Sequence, residues 1–213
     1  SFTINPTLLD QLPEIKIIAC CGVGYDNLPL DYLKQRGIIA SNTPGVLNDA
    51  VCELTIGLLF GLLRKIPEAH QFVLQKTWAA ETFPFTTSLA GKKVGIVGMG
   101  RIGQELAARL LPFKVEIAYH GPSSKSLPYV FFPSLMDLAR ESDVLILTCP
   151  GGKATEKIIN TSILQALGPK GYLINVARGS VVNEDDLINA LQNKVIAGAA
   201  LDVFENEPNP KAD

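Results

Sequence analysis

The chain has 213 residues, 47% of them hydrophobic, with a mean hydropathy of +0.22, which is enough apolar side chain to fill the cores of one or two domains. A formal charge of -2, without any run of five or six basic residues, excludes a general attraction to nucleic acid or to an anionic membrane surface. The longest apolar run, LTIGLLFGLL, has ten residues, about half of a bilayer crossing, and reads as a buried helix.

Over residues 15–42 the pattern is a strand, IKIIACC, a glycine-rich turn, GVGYDN, a short helix, LPLDYLKQRG, and a second strand, IIASN. These make a βαβ unit. Thr43 and Pro44 then open a helix, and DAVCELTIGLLFGLLRKI, apolar on nearly all sides, predicts a long helix enclosed between domains, with residues 70–78 continuing helically. FPFTTSLAG changes the composition and reads as a hinge or linker.

A second series begins at Lys92, with strands predicted at 92–98, 115–119, 129–132, 143–149, 171–176 and 195–203. Helices are predicted at 102–111, 135–141, 161–167 and 183–192, the last capped by Asn183 ahead of Glu184, Asp185 and Asp186. Strands that are almost continuously apolar, alternating with helices, predict a parallel sheet covered on both faces, so the fold class is α/β, doubly wound. The first unit shows only two strands and the second closes on PNPKAD after a buried strand, without a helix to cover its edge. Both units are therefore expected to be incomplete and residues 1–213 to be the middle of a longer polypeptide.

Cys20, Cys21, Cys52 and Cys149 lack C-x-x-C spacing, and no charged-then-apolar leader is visible, so reduced thiols and a cytoplasmic location are expected. His70 and His120 are the two histidines and neither has ligand partners nearby, so no metal is predicted.

Three clusters carry chemistry. Gly98, Gly100 and Gly103 form G-x-G-x-x-G after an apolar strand and at the start of a helix. The first permits a tight turn, the second lets backbone approach a pyrophosphate and the third packs helix on strand, while the amides of Arg101 and Ile102 face the phosphates. About twenty residues on, where an NAD site offers an acid to the ribose hydroxyls, IAYHGPSSK supplies none. His120 stands at the strand end, followed by Ser123, Ser124 and Lys125, donors and a cation suited to a 2′-phosphate. Glu116 lies four residues back. An aspartate about 4 Å from that phosphate would repel it by roughly 1 kcal/mol in water and roughly 4 at an effective dielectric of 20. Its replacement therefore predicts NADPH, with NADH the alternative. The third cluster is INVARGSVVNEDDL with GAALDVFENEP, in which Arg178 ends a parallel strand and its guanidinium points into the cofactor crevice, able to fork onto a carboxylate but unable to act as general acid.

With these residues in view, the chain resembles the D-isomer-specific 2-hydroxyacid dehydrogenase family, which includes glyoxylate and hydroxypyruvate reductases. The resemblance rests on GVGYDN, NTPGV followed by DAVCELTIGLL, GKKVGIVGMGRIGQ, INVARGSVVNEDDL and GAALDVFENEP, in order along the whole chain. It implies a flavodoxin-like substrate domain over residues 1–88, a Rossmann-type dinucleotide domain over 89–213, and a cleft between them. It also implies hydride transfer from NADPH to a small 2-keto acid, giving the D-2-hydroxy acid. The amides of Val23 and Gly24 would receive the substrate carboxylate, Arg178 that carboxylate and the C2 oxygen, and Asp202 the nicotinamide carboxamide. Thr148, Cys149, Pro150 and Thr155 would line the adenosine side, with Ala177 and Arg178 also against the cofactor. Glu207, rather than Glu205, would pair with a catalytic histidine that the family carries in a Pro-His motif and that residues 1–213 do not supply. The resemblance further implies a homodimer through the region 49–66. The alternatives are an NAD-linked enzyme of the same chemistry, and a cofactor-binding corepressor or sensor without turnover.

Overall fold

In a computed structural model, residues 4–211 are described. The chain opens with helix α1 (Pro6–Asp10), then β1 (Ile17–Ala19), α2 (Leu30–Gln35) and β2 (Ile39–Ser41), the two strands pairing in parallel as a small sheet. The predicted βαβ unit is present. The preceding helix α1 was not foreseen, although Asn5 caps it through a hydrogen bond from the Leu8 amide and Pro6 opens it.

Helix α3 (Asn48–Arg64) and helix α4 (Ile66–Leu74) follow, where one long helix was expected. Lys65 separates them in a left-handed conformation with φ 50°, which ends the first helix and turns the chain. Nor is α3 buried all round. Cys52, Thr55, Leu59 and Leu63 form one buried stripe, while Leu54 remains exposed. The expected hinge 83–91 is pinned: the Thr87 amide donates to the Leu63 carbonyl at 3.1 Å, Thr87 Oγ1 lies 3.2 Å from the Tyr172 hydroxyl, and Leu89 is buried.

The large sheet is built from β3 (Lys93–Val97), β4 (Glu116–His120), β5 (Val130–Phe131), β6 (Val144–Leu147), β7 (Tyr172–Asn175) and β8 (Gly198–Leu201). All pair in parallel, in the order β5-β4-β3-β6-β7-β8, so the chain winds outward in both directions from β3. Helices α5 (Arg101–Leu110), α6 (Leu135–Glu141), α7 (Thr161–Leu167) and α8 (Glu184–Gln192) complete the alternation. One apolar layer joins β6 and β7 to α6, α7 and α8, and the other packs α3 and α5 on the opposite face. Helix α3 therefore covers the end of the sheet that was expected to lie bare. A Cβ on Gly198 of β8 would come within 3.0 Å of Leu62 Cδ1. The six strands expected in this sheet are all present, and the expectation of a bare last strand is corrected: its cover comes from earlier in the chain. No helix among the described residues is long and apolar enough to cross a membrane.

Candidate active site

The carboxyl ends of β3 and β6 lie side by side at the point where strand order reverses, the position at which open α/β sheets bind ligands. There Gly98 has φ +101°, and a Cβ on it would meet the Cys149 backbone at 2.6 Å. Gly103 is pressed against the same turn, since its Cβ would lie 2.3 Å from the Gly98 carbonyl oxygen. Gly100 differs. A Cβ there would meet nothing within 4 Å, so the space beside it is open, and it precedes α5 without a side-chain cap. Unsatisfied amides of the first helical turn and open room beside a glycine fit a pyrophosphate.

Thr148 Oγ1 donates to the Gly98 carbonyl at 2.7 Å and so ties the end of β6 to the glycine turn. Thr155 Oγ1 donates to the Pro150 carbonyl at 2.7 Å, folding the following loop back on itself. Gly100, Arg101, Ile102, Thr148, Cys149, Pro150, Ala177 and Arg178 share a cleft of about 950 Å³, and Val23 and Gly24 face them from the small-sheet unit. Burial pushes the Cys149 thiol up to about 11, leaving it an uncharged wall residue.

At the end of β4, His120 Nδ1 donates to the Phe132 carbonyl at 2.9 Å, which leaves Nε2 without a hydrogen-bond partner among the described residues. The loop after it is held by Tyr119, which no sequence argument singled out. The Lys125 amide donates to the buried Tyr119 hydroxyl at 2.8 Å. Ser123, Ser124 and Lys125 are exposed, and none of their side chains has a partner among the described residues. None of the four lines the cleft of Gly100; they stand at its β4 end. Glu116 begins β4, at the far end of that strand, as expected.

Arg178 follows β7 in a turn organised by Asn175, which is buried, accepts from the Ala177 amide at 3.0 Å and donates to the Arg178 carbonyl at 2.9 Å. A buried asparagine at a strand end was the available signal, and it went unread. On the other side of Arg178 lies a second hollow of about 710 Å³, lined by Val23, Gly24, Asp202, Glu205 and Glu207. Glu205 is taken by Lys157 at 2.7 Å. Glu207 accepts from the Phe204 amide at 3.0 Å, and this bond, with the charge of Arg178, holds its carboxyl below the ordinary value despite some desolvation. The loop carrying both acids is clamped: a Cβ on Gly179 would overlap Phe204 at 2.0 Å, and the buried Glu184 carboxylate accepts the Glu205 amide.

Loop 22–24 is braced from β2. Thr43 Oγ1 accepts the Gly22 amide at 3.0 Å, and Asn42 Nδ2 donates to the Val23 carbonyl at 2.8 Å. The amides of Val23 and Gly24 have no partner among the described residues. Neither histidine lines either hollow.

Residues 56–213 match the family model described as D-isomer specific 2-hydroxyacid dehydrogenase, NAD binding domain. The chain belongs to this family. Among curated relatives it is 41% identical, over 203 residues, to glyoxylate/hydroxypyruvate reductase A of Arabidopsis thaliana, covering 95% of this chain and 65% of that protein. The chain thus spans less than two-thirds of that relative's length. Among solved structures, an NADPH-dependent glyoxylate/hydroxypyruvate reductase from Sinorhizobium meliloti, in complex with NADP and malonate, superposes with a TM-score of 0.94 at 46% identity, covering 99% of this chain and 67% of that one. D-lactate dehydrogenase from Aquifex aeolicus, complexed with NAD and lactic acid, gives 0.90 at 30% identity, covering 96% and 62%.

Proposed function

We propose that the complete protein uses NADPH to reduce a small 2-keto acid, of the glyoxylate or hydroxypyruvate type, to its D-2-hydroxy acid. The observation that carries this reading is the placement of Arg178, between the open glycine cradle at Gly100 and the hollow that holds Asp202 and Glu207. A nicotinamide bound in the cleft supplies hydride. The chain's own residues bind and orient: the amides of Val23 and Gly24, which have no partner among the described residues, receive the substrate carboxylate with Arg178, and Arg178 also steadies the C2 oxygen. Because a guanidinium keeps its proton, Arg178 orients that oxygen and does not protonate it.

Glu207, kept ionised by the Phe204 amide, is suited to stabilise an imidazolium. The proton donor in this proposal is the histidine expected from the part of the relatives' length that this chain does not span. Gly98, Gly100, Arg101, Ile102 and Gly103 hold the pyrophosphate; Thr148, Cys149, Pro150 and Thr155 flank the adenosine side, Ala177 lies against the cofactor, and Asp202 takes the carboxamide. The NADPH preference is supported by the unengaged side chains of Ser123, Ser124 and Lys125 beside His120, and by the NADPH dependence of the Sinorhizobium meliloti relative.

The same proposal includes a flavodoxin-like substrate domain over 1–88, a cytoplasmic location supported by four free cysteines, and a homodimer through the region 49–66, supported by exposed Leu54 and Ile66. Steady-state kinetics on the full-length protein test the central point. NADPH-dependent reduction of glyoxylate or hydroxypyruvate is expected, and no turnover across a broad 2-keto acid panel would contradict it.

A further inference from the structure

Asp26 has no part in the chemistry set out above, yet its carboxylate is the partner of the arginine at the centre of that chemistry. Arg178 Nε lies 3.0 Å from Asp26 Oδ2 and 3.2 Å from Oδ1, and Nη2 lies 3.1 Å from Oδ1. The two residues are 152 positions apart, one in the turn after β1 and the other in the turn after β7. Two loops leave room for the pair by carrying glycine, the turn after β1 and the loop after β6. A Cβ on Gly24 would fall 1.5 Å from Arg178 Nη2 and 2.9 Å from Asp26 Oδ1. One on Gly151 would fall 2.9 Å from Arg178 Cγ and 3.0 Å from Asp26 Oδ2. Either Cβ would push the pair apart.

The donors of the guanidinium can be counted. It has five N–H groups. Asp26 takes the one on Nε and one on Nη2, and the Ala177 carbonyl takes one on Nη1 at 2.7 Å. One N–H is left on each terminal nitrogen, the two-point pair that a second carboxylate or carbonyl oxygen can use. Asp26 also approaches from one side only: it lines the cleft of Gly100 and Arg101 and is absent from the lining of the hollow that holds Asp202 and Glu207.

We propose that Asp26 is a positioning residue for the substrate-binding arginine. It grips the side edge of the guanidinium from the cofactor side and leaves the terminal N–H pair for the substrate, so the carboxylate site is set before substrate arrives. The proposal rests on the functional reading above. It differs from a latch, in which the Asp26 carboxylate would occupy the substrate's place and have to leave.

Oxamate, which carries one carboxylate beside a carbonyl, is the probe. Its binding to the NADPH-loaded full-length protein is measured by calorimetry for the parent, Asp26→Asn and Asp26→Ala, with NADPH affinity and melting temperature in parallel. Loss of a charge-assisted bond corresponds to about a tenfold or greater rise in the oxamate Kd for Asp26→Ala. Asp26→Asn keeps one acceptor oxygen and is expected to rise about threefold, a partial rescue. NADPH affinity stays within about twofold, and the KM for glyoxylate rises while that for NADPH does not. If Asp26→Ala does not fold, Asp26→Asn decides alone. Oxamate binding that is unchanged in the variants would reduce the pair to a tie between two turns, and tighter binding would make Asp26 a competitor; either overturns the proposal. A parent protein that binds NADPH but no oxamate would overturn the functional reading as well, whereas parent binding with unaffected variants overturns the role of Asp26 alone.

Discussion

The two walls of the cleft are built differently. On the six-stranded side, Val144, Leu145, Ile146 and Leu147 are completely buried, and the glycine turn is packed so closely that a Cβ on Gly98 or Gly103 would strike backbone. On the small-sheet side, β1 and β2 leave Ile17 57% and Ile39 64% exposed, and the buried cluster consists of Leu9, Leu28, Leu33 and Ile38. The six-stranded wall is thus shaped by main chain locked in a deep core, whereas the small-sheet wall keeps its shape through polar ties: Thr43 to Gly22, Asn42 to Val23 and Asp26 to Arg178. A site of this kind can hold its cofactor geometry fixed while the opposing wall adjusts.

The largest expected effect is on the rigid wall. Gly98→Ala sets a Cβ against the Cys149 backbone at a positive φ, so it should cost about 3 kcal/mol or more in denaturant unfolding and weaken cofactor binding with it. A cost under about 1 kcal/mol would mean that the turn yields. Leu33→Ala removes a main anchor of the small cluster and should cost about 2–4 kcal/mol. Hydrogen exchange should show that cost confined to the small-sheet unit, with β3, β6 and β7 still protected; equal loss in both units would erase the contrast.

A smaller effect is tied to pH. The Cys149 thiol is raised by burial from an ordinary 9.0 to about 11, so the folded state favours the protonated form. Its contribution is complete below about pH 9 and is lost as pH rises toward 11. About 2–3 kcal/mol of alkaline destabilisation should disappear in Cys149→Ala, once the loss of the side chain itself is subtracted. Exposed Cys21 should meanwhile react with a thiol reagent before buried Cys52 and Cys149 do.

Much of the six-stranded unit was legible because its strands are short continuous apolar runs and its glycine motif has a fixed mechanical meaning at each position. The helix break at Lys65 went unread although Pro67, in the first turn of α4, marks it; the lysine itself carries no mark of the left-handed conformation it adopts there. The cover over β8 was hidden for another reason: α3 lies far upstream, and no local pattern says which sheet an apolar helix will meet. In the site, Arg178 was singled out by its strand end and Asp202 and Glu207 by the family resemblance, and all three line one hollow. Asp26, Tyr119 and Asn175 were missed. Asp26 acts across 152 residues, Tyr119 points into the core while holding a surface loop, and Asn175 bonds its own turn. Each is defined by a partner that one-dimensional spacing does not reveal.

The proposed selection of the phosphorylated cofactor by the loop after β4 is tested most directly by nucleotide binding. Dissociation constants for NADPH and NADH are measured by the fluorescence of the bound nucleotide, in the parent and in His120→Asp/Lys125→Ala. The parent is expected to bind NADPH at least about tenfold more tightly, and the double variant, which places a carboxylate where the 2′-phosphate would lie, to reverse the order. Equal affinities in the parent, or an order that the double substitution leaves unchanged, would contradict the account.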